Sequence, residues 1–243
     1  MLKIKNLCKS FGEKKAVDNV SIEIADGEIY GFIGHNGAGK TTTIKACTGI
    51  MPFDSGEIEI DGVSIKDKPI LCKSKIAYIP DNPDLYEFMT GNQYINFVAD
   101  IFSVPTETRK EITKKIADVF ELSQDLDKSI SSYSHGMKQK LAVISAWIHS
   151  PKLIIMDEPF VGLDPKASHS LKLMMREFCD NGGSIFFSTH VLEVAEKLCD
   201  KVAIIKNGQI VASGKMQDVK GDKSLEKVFL DLEDGEKKCL RLC

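Results

Sequence analysis

Apolar and polar residues alternate in the first third of the chain, which predicts short β-strands joined by tight turns. The strand-like segments are residues 2–7, 20–24, 28–33, 57–60 and 63–65. Asp26-Gly27 and Asp61-Gly62 each separate two of these segments. Because Asp-Gly between two strands favours a two-residue turn, we expect a hairpin at both dipeptides.

Helical spacing replaces this alternation in the middle of the chain. Apolar residues recur every three or four positions in segment 109–122, which predicts a helix there. A second helix is expected after Ser134, with Met137, Leu141 and Ile144 on one face. It ends before Pro151, since proline disfavours helical backbone in the residue that precedes it.

Strands and helices alternate in the last third. Strands are predicted at 153–156, 185–187, 201–205 and 209–212, and a helix at 191–198. Asp164-Pro165 is a typical N-cap and first-turn pair for another helix, and Asn207-Gly208 favours a hairpin. Such alternation indicates a parallel sheet covered by helices on both faces. The charged segment after Gly214 is weakly patterned, and no element is predicted in it.

Composition narrows the class of protein. The 243 residues are 43% hydrophobic and 28% charged, which is ordinary for one globular unit. The net charge of −3 argues against general nucleic-acid binding, so no nucleic acid is expected as a partner. Seven cysteines without a C-x-x-C pair indicate reduced thiols rather than a disulfide framework or a zinc site.

The sequence predicts no insertion of this chain into a membrane. Its N-terminus runs directly into a strand-like pattern, so no signal peptide is expected. No apolar run reaches the ~18–20 residues that cross a bilayer. Any membrane-spanning part is therefore expected on another chain.

Residues 34–41 read Gly-His-Asn-Gly-Ala-Gly-Lys-Thr and match the phosphate-loop pattern G-x-x-x-x-G-K-[ST]. The segment follows a predicted strand and opens a predicted helix, as the motif requires. Backbone N–H groups and the helix start would cradle phosphate, Lys40 would reach the β- and γ-phosphates, and Thr41 would coordinate Mg²⁺. The plain alternative is a glycine-rich turn. His35 occupies a variable position and is expected to be a solvated loop residue.

Two carboxylates follow the apolar strand at 153–156. Ligands of parallel sheets bind beyond the carboxyl ends of the strands, which is where Asp157 and Glu158 stand. Asp157 is thus placed to hold Mg²⁺ and Glu158 to polarise an attacking water. A polar turn without function is the alternative, and the phosphate loop makes it less favoured.

Further motifs follow in a fixed order. They are Phe11, the run Tyr-Ser-His-Gly-Met-Lys-Gln at 133–139, Gly162-Leu163-Asp164, and His190 after Phe-Phe-Ser-Thr. With the phosphate loop and the acidic pair, they make the chain from about residue 2 to 212 resemble the ATP-binding subunit of ABC transporters. Run 133–139 looks like the signature motif of that family, and it distinguishes the family from other phosphate-loop ATPases.

The resemblance implies an α/β fold. We expect a P-loop NTPase (RecA-like) core with a parallel sheet, an N-terminal antiparallel β-subdomain and an inserted helical subdomain. Residues 1–243 would form a single ABC ATPase domain. The β-subdomain and the core would cover about 1–87 and 151–214, the helical subdomain about 88–150, and a short C-terminal tail 215–243.

The resemblance also implies roles for individual residues. ATP and Mg²⁺ are the expected cofactors, and catalysis is assigned to Glu158, His190 and Lys40. Mg²⁺ would be held by Thr41, Asp157 and Asp81. The expected nucleotide-binding residues are Phe11, Gly34, Asn36, Gly37, Ala38, Gly39, Lys40, Thr41, Thr42, Ser134, Gly136 and Asp164. Simpler alternatives are a core phenylalanine for Phe11, a helix N-cap for Ser134 and a structural histidine for His190.

This sequence departs from the family pattern at several positions. Asp81 stands where the family commonly has glutamine, and a carboxylate cannot donate a hydrogen bond as an amide does. His135 and Met137 replace a glycine and a glutamine of the usual signature, and Val161 replaces a small polar residue. The form Ser-His-Gly-Met-Lys-Gln resembles exporter ATPases, of the ABC-2 or antibiotic-resistance type, that work with separate membrane subunits.

The expected function is therefore ATP hydrolysis that powers a membrane transporter, most consistent with an exporter. Two ATPase subunits, identical or different, would bind head to tail around two ATP molecules. Integral membrane permease subunits would be separate chains, and this chain would sit at the cytoplasmic face of the cell membrane. The alternative is a soluble ABC-type ATPase that acts as an ATP-gated clamp or assembly scaffold. A small-molecule P-loop kinase explains the Ser134 motif and the acidic pair less well.

Overall fold

A computed structural model describes the backbone of residues 1–240 and the side chains of residues 1–232. Its strands form two sheets, with orders β2-β1-β4-β5 and β10-β9-β3-β8-β7-β6. The strands are β1 (Leu2–Phe11), β2 (Lys14–Ile24), β3 (Ile29–Ile33), β4 (Ser55–Ile60), β5 (Val63–Ser64), β6 (Ile76–Ile79), β7 (Leu153–Asp157), β8 (Ser184–Thr189), β9 (Lys201–Lys206) and β10 (Gln209–Lys215).

Helices cover the second sheet and fill the region between β6 and β7. They are α1 (Lys40–Cys47), α2 (Pro69–Ser74), α3 (Gly91–Ile101), α4 (Thr106–Val119), α5 (His135–Trp147), α6 (Pro165–Asp180), α7 (Leu192–Leu198), α8 (Met216–Lys220) and α9 (Leu225–Leu240). Two short 3₁₀ helices at Ser123–Asp125 and Ile130–Ser132 lead from α4 towards α5.

The first sheet is antiparallel and reflects the alternating pattern of its strands. Inward residues such as Leu2, Ile22 and Ile60 are buried, while the residues between them face outward. The hairpin predicted at Asp61-Gly62 is confirmed, since Ile60 pairs with Val63 across the turn. The hairpin predicted at Asn207-Gly208 is likewise confirmed between β9 and β10.

The hairpin expected at Asp26-Gly27 is wrong. β2 pairs with β1 in the first sheet, whereas β3 pairs with β8 and β9 in the second. All five residues of β3 are buried, so this strand needs cover on both faces and a parallel neighbour at each edge. The dipeptide therefore links two sheets instead of closing a hairpin.

The second sheet is parallel except for β10, and β3 lies inside it between β8 and β9. The strands β3, β7 and β8 run in the same direction and in close register, with Asp157 paired to Ser188 and Ile33 to Thr189. The segments that follow these strands therefore meet at one edge of the sheet. That edge carries the phosphate loop, the acidic pair and His190.

The segment after Gly214, for which no element was predicted, contains α8 and the start of α9. Leu225 and Phe229 of α9 are buried, and the Phe229 ring lies 4.8 Å from the His35 ring. Of the predicted tail, residues 241–243 and the side chain of Cys239 lie outside the described residues. Within residues 1–240, none of the helices has the length and apolarity required to cross a bilayer.

Candidate nucleotide-binding site

The phosphate loop joins the end of β3 to the start of α1. Gly39 caps this helix with φ of 112°, a left-handed conformation that strains any other residue. A Cβ atom at this position would also lie 2.4 Å from the Ala16 carbonyl oxygen. The loop can therefore turn its backbone inward only because this position has no side chain.

Lys40 is buried at the first position of α1, with 6% of its surface exposed. Its ammonium group donates to the carbonyl oxygens of Gly34 at 2.6 Å and His35 at 3.2 Å. Glu158 Oε1 lies 3.3 Å away and completes an ion pair. The cation is thus held across the mouth of the loop by acceptors that an incoming phosphate could replace.

The acidic pair ends β7, and Ser188 of the neighbouring strand contacts both of its members. Asp157 is 2% exposed, and its Oδ1 accepts a hydrogen bond from the Ser188 hydroxyl. Glu158 has φ of 48°, which is uncommon outside glycine, and its backbone N–H donates to Ser188 Oγ at 3.1 Å. This bent backbone turns the Glu158 side chain towards Lys40.

His190 contacts the same glutamate from the end of β8. Its Nδ1 lies 2.9 Å from Glu158 Oε2, and its backbone N–H donates to that oxygen at 3.3 Å. The imidazole is half-exposed, and His190 is not among the residues that line the cleft over the phosphate loop. Glu158 therefore bridges Lys40 and His190 through its two oxygens.

A cleft of about 420 Å³ opens over the phosphate loop. Its lining includes Phe11, Asn36, Gly37, Gly39, Lys40, Thr41, Thr42, Asp81 and Glu158, together with Lys14 and Ala16, which the sequence did not single out. Phe11 is 51% exposed, so it is not the core phenylalanine that was the alternative interpretation. Its ring faces the cleft at the β1–β2 turn, with Lys9 Nζ 5.3 Å from the ring centroid.

Asp81 follows β6 and brings a third carboxylate to the cleft. Partial burial, together with the nearby charges of Asp157 and Glu158, raises the pKa of Asp81 above its ordinary value. Mutual repulsion of this kind is typical of carboxylates arranged around a cation.

One orphaned polar atom lies beside these carboxylates. The Tyr78 hydroxyl is buried without a hydrogen-bond partner among the described residues, and Glu158 Oε1 has only its ion pair with Lys40. Oxygen ligands with room for water are what Mg²⁺ prefers. The residues present therefore fit a hydrated magnesium ion bound with phosphate.

Ser134, Gly136 and Asp164 do not line this cleft. Ser134 is the N-cap of α5, and its hydroxyl accepts from the Met137 N–H at 3.3 Å. The N-cap interpretation of Ser134 is thus confirmed, and it leaves the role towards a nucleotide open.

The start of α5 packs on the segment that follows Glu158. A Cβ atom on Gly136 would lie 2.7 Å from the Gly162 carbonyl oxygen, and Lys140 pairs with Asp164 at 2.9 Å. Asp164 also caps α6 by accepting from the Ala167 N–H, and both interactions lower the pKa of its carboxyl. The signature helix and the loop from Glu158 to Asp164 therefore form one packed unit.

The comparison with protein families agrees with this geometry. The family model for ABC transporters matches residues 17–161, which include the phosphate loop, the signature helix and the acidic pair. The chain belongs to the ABC transporter family. Its structure confirms the α/β fold predicted for the ATP-binding domain of that family.

Two similar proteins are both named as ATP-binding proteins. The ABC-type transporter ATP-binding protein EcsA of Bacillus subtilis is 34% identical over 96% of this chain and 96% of its own. The linearmycin resistance ATP-binding protein LnrL of the same organism is 33% identical over 90% of this chain and 70% of its own.

A solved structure described as the ATP-binding subunit of an ABC transporter superimposes with a TM-score of 0.92. It is 34% identical to this ABC chain and covers 96% of it and 99% of its own length. The chain is thus an ABC-type ATP-binding ATPase.

Proposed function

We propose that this chain is the ATP-hydrolysing subunit of a membrane exporter and that two such subunits close head to tail over two ATP molecules. One observation carries the proposal. Lys40 and Glu158 line the cleft, whereas Ser134 and Gly136 at the start of α5 lie outside it. A nucleotide in the cleft therefore leaves this helix N-terminus available to a phosphate bound by a second subunit.

Nucleotide binding changes the partners of Lys40. Its ammonium group leaves Glu158 and the loop carbonyls for the β- and γ-phosphate oxygens, which form stronger, charge-assisted hydrogen bonds. Glu158 is then free to accept a proton from the attacking water, and its contact with His190 fixes the orientation of its carboxylate.

Mg²⁺, when bound with ATP, would supply neutralisation of the phosphate charge. Thr41 and Asp157 would hold it, and Asp81 would hold a water or the ion itself. The half-exposed His190 contacts the γ-phosphate from the open side of the cleft.

The partner subunit contributes a helix N-terminus to this site. The first N–H groups of α5 have no partner within the helix, and the helix dipole favours an anion at this end. Ser134 and Gly136 of the second subunit would therefore close over the γ-phosphate, and hydrolysis would weaken this contact and open the dimer.

An exposed aromatic patch supports the permease as a partner. The rings of Tyr86, Phe88 and Phe97 lie on the surface before and along α3, with Phe88 80% exposed. Tyr86 lies 5.8 Å from Phe88 and 5.5 Å from Phe97 between ring centroids, so the three form one cluster. Large exposed apolar clusters mark interaction sites, and this one lies on the surface of the region between β6 and α5.

Relatives support the direction of transport. One similar protein is named a linearmycin resistance ATP-binding protein, and the signature form of this chain resembles exporters, which supports outward transport. The proposed location is the cytoplasmic face of the cell membrane, where permease chains hold the subunit.

Affinity purification from detergent-solubilised membranes tests the transporter role. We expect the tagged chain to bring down a protein with several membrane spans, and Phe88→Ser to reduce its recovery. The matched control is Leu173→Ser, which changes another exposed apolar residue, on α6. Recovery of soluble proteins alone would instead support the ATP-gated clamp or scaffold.

The nucleotide site is tested separately by Lys40→Ala. Loss of charge-assisted hydrogen bonds predicts a fall in ATP affinity of roughly 10–100-fold. Lys45→Ala, which removes a cation from the last turn of the same helix, should bind ATP as the wild type does. Equal titrations for all three proteins would contradict the assignment of Lys40.

A further inference from the structure

Ser188 is the point at which the end of β8 meets both members of the acidic pair. It is fully buried, with 0% of its surface exposed, although it stands next to the cleft edge of the sheet. Its register neighbours are Asp157 on β7 and Phe32 on β3, the strand that leads into the phosphate loop. A polar side chain in the middle of a sheet core is retained at a cost unless its hydrogen bonds are made.

The directions of the two hydrogen bonds at this hydroxyl are determined by chemistry. A backbone N–H can only donate, so Ser188 Oγ accepts from Glu158 N at 3.1 Å. The single hydroxyl proton is therefore donated to Asp157 Oδ1. One serine thus orients the carboxylate of Asp157 and the backbone of Glu158 at the same time.

The backbone of Glu158 needs this support. Its φ of 48° lies in the left-handed region, which is unfavourable for a residue with a side chain. The same N–H also contacts the Ser188 carbonyl oxygen at 3.2 Å, so the bend is held by two acceptors of one residue. Without the hydroxyl, Asp157 loses the hydrogen bond from Ser188, and the Glu158 N–H keeps only the Ser188 carbonyl oxygen as an acceptor.

We infer that Ser188 is a positioning residue that presents Asp157 to Mg²⁺ and holds Glu158 in its bent conformation. The inference rests on the proposed role of Asp157 as a magnesium ligand. Hydrogen bonds to a ligating carboxylate fix its rotation and tune its basicity, and removing such a partner typically costs 10–100-fold in metal affinity. Ser188 itself does not touch the nucleotide or the metal.

Equilibrium binding of ADP, with Mg²⁺ and with a chelator, separates this role from general stability. Mg²⁺ is expected to increase the affinity for ADP. We expect Ser188→Ala to raise the Mg²⁺ concentration that gives half of this increase by about 10-fold or more, while the ADP affinity measured in the chelator stays unchanged. Mn²⁺ binding in the presence of ADP, followed by electron paramagnetic resonance, should weaken by the same factor. Ser188→Cys has a slightly larger thiol that fills the site but donates weakly. It should shift the Mg²⁺ dependence in the same direction, which separates the lost hydrogen bond from the cavity left by alanine.

Ser184→Ala is the matched control. Ser184 begins the same strand, is also fully buried and donates to the Ala25 carbonyl oxygen at 3.0 Å, far from the carboxylates. It should lose stability but keep the wild-type Mg²⁺ dependence. A wild-type Mg²⁺ titration for both Ser188 variants would overturn the inference.

Asp157→Asn separates the positioning role of Ser188 from the proposed role of Asp157 as a magnesium ligand. If Asp157→Asn weakens Mg²⁺ binding and the Ser188 variants do not, the positioning role is wrong and the magnesium site stands. If Asp157→Asn also titrates as the wild type does, the proposed magnesium ligand itself is wrong.

Discussion

Lys40 Nζ lies 3.3 Å from Glu158 Oε1, so the cation of the phosphate loop and the carboxylate after β7 neutralise each other before a nucleotide arrives. Each is 12% exposed or less in its side chain, which strengthens the attraction. In the proposed mechanism, ATP would exchange this internal pair for a pair between Lys40 and phosphate. The glutamate would then become available as a base only when the substrate is present.

Glu158→Gln should therefore retain ATP and stop turnover. The amide keeps the shape of the side chain but accepts no proton, and loss of a general base typically costs 10²–10⁴-fold in rate. Phosphate release and equilibrium ATP binding measure the two properties on the same preparation. Release of phosphate at close to the wild-type rate would contradict the assignment.

Phe11→Ala should weaken nucleotide binding without unfolding the protein. Stacking of a base on an aromatic ring contributes about 1–3 kcal/mol, which predicts a loss of roughly 5–100-fold in ATP affinity. The control is Phe53→Ala, which removes another partly exposed ring that a lysine covers, Lys66 at 4.3 Å. Equal ATP affinities for both variants would show that Phe11 does not contact adenine.

Gly162→Ala should destabilise the protein, because the new methyl group would overlap with the His135 ring. A Cβ atom there would lie 2.3 Å from His135 Cδ2, and the φ of 79° adds strain of about 1–2 kcal/mol. His135→Gly in the same chain removes the steric overlap but not the backbone strain. We expect the double variant to recover part of the lost free energy of unfolding, with a coupling of about 0.5–3 kcal/mol.

Chemical denaturation of the wild type, both single variants and the double variant measures this coupling. The two substitutions would act independently if their free energies simply add. That result would mean that the His135 ring does not press on the loop between Glu158 and Asp164.

Stability at mildly acidic pH should depend on His149. The ring is stacked on Phe102 at 3.7 Å, and its Nε2 donates to the Ile76 carbonyl oxygen at 3.1 Å. Nδ1 is buried without a hydrogen-bond partner among the described residues, and burial lowers the pKa of this histidine. The unfolded chain therefore binds the proton first.

The free energy of unfolding is expected to be unaffected by this group above pH 6.5 and to fall as the pH drops below it. The loss is about 1.4 kcal/mol for each unit by which the pKa is lowered. His149→Gln should flatten this pH dependence, whereas His169→Gln, on the exposed face of α6, should leave it as in the wild type. Parallel curves for all three proteins would contradict the prediction.

Local patterns predicted the parts of the site that are continuous in sequence. The phosphate loop, the acidic pair and the N-caps Ser134 and Asp164 depend on neighbours within a few residues, so their spacing is sufficient. Ser188 is different, because the proposed role depends on its hydrogen bond to Asp157. The two residues lie on neighbouring strands and are 31 residues apart in the sequence. No spacing rule along the chain could have identified that contact.

Two of the differences between the predicted and the observed elements have physical causes as well. Asp26-Gly27 has the local signal of a hairpin, but the continuously buried β3 is drawn into the parallel sheet. The start of α9 was missed although Leu225, Val228, Phe229 and Leu232 follow helical spacing. Abundant charges on the remaining positions obscured that stripe.

The position of β3 between β8 and β9 has a consequence for synthesis of the chain. Its phosphate loop is hydrogen-bonded through the Ala38 carbonyl oxygen to the Gly208 N–H, in the turn that follows β9. Ribosomes add about 5–20 residues per second, so β9 is synthesised roughly 10–30 s after the phosphate loop. We therefore expect the nascent chain to bind ATP only after β9 and the turn that follows it have been synthesised.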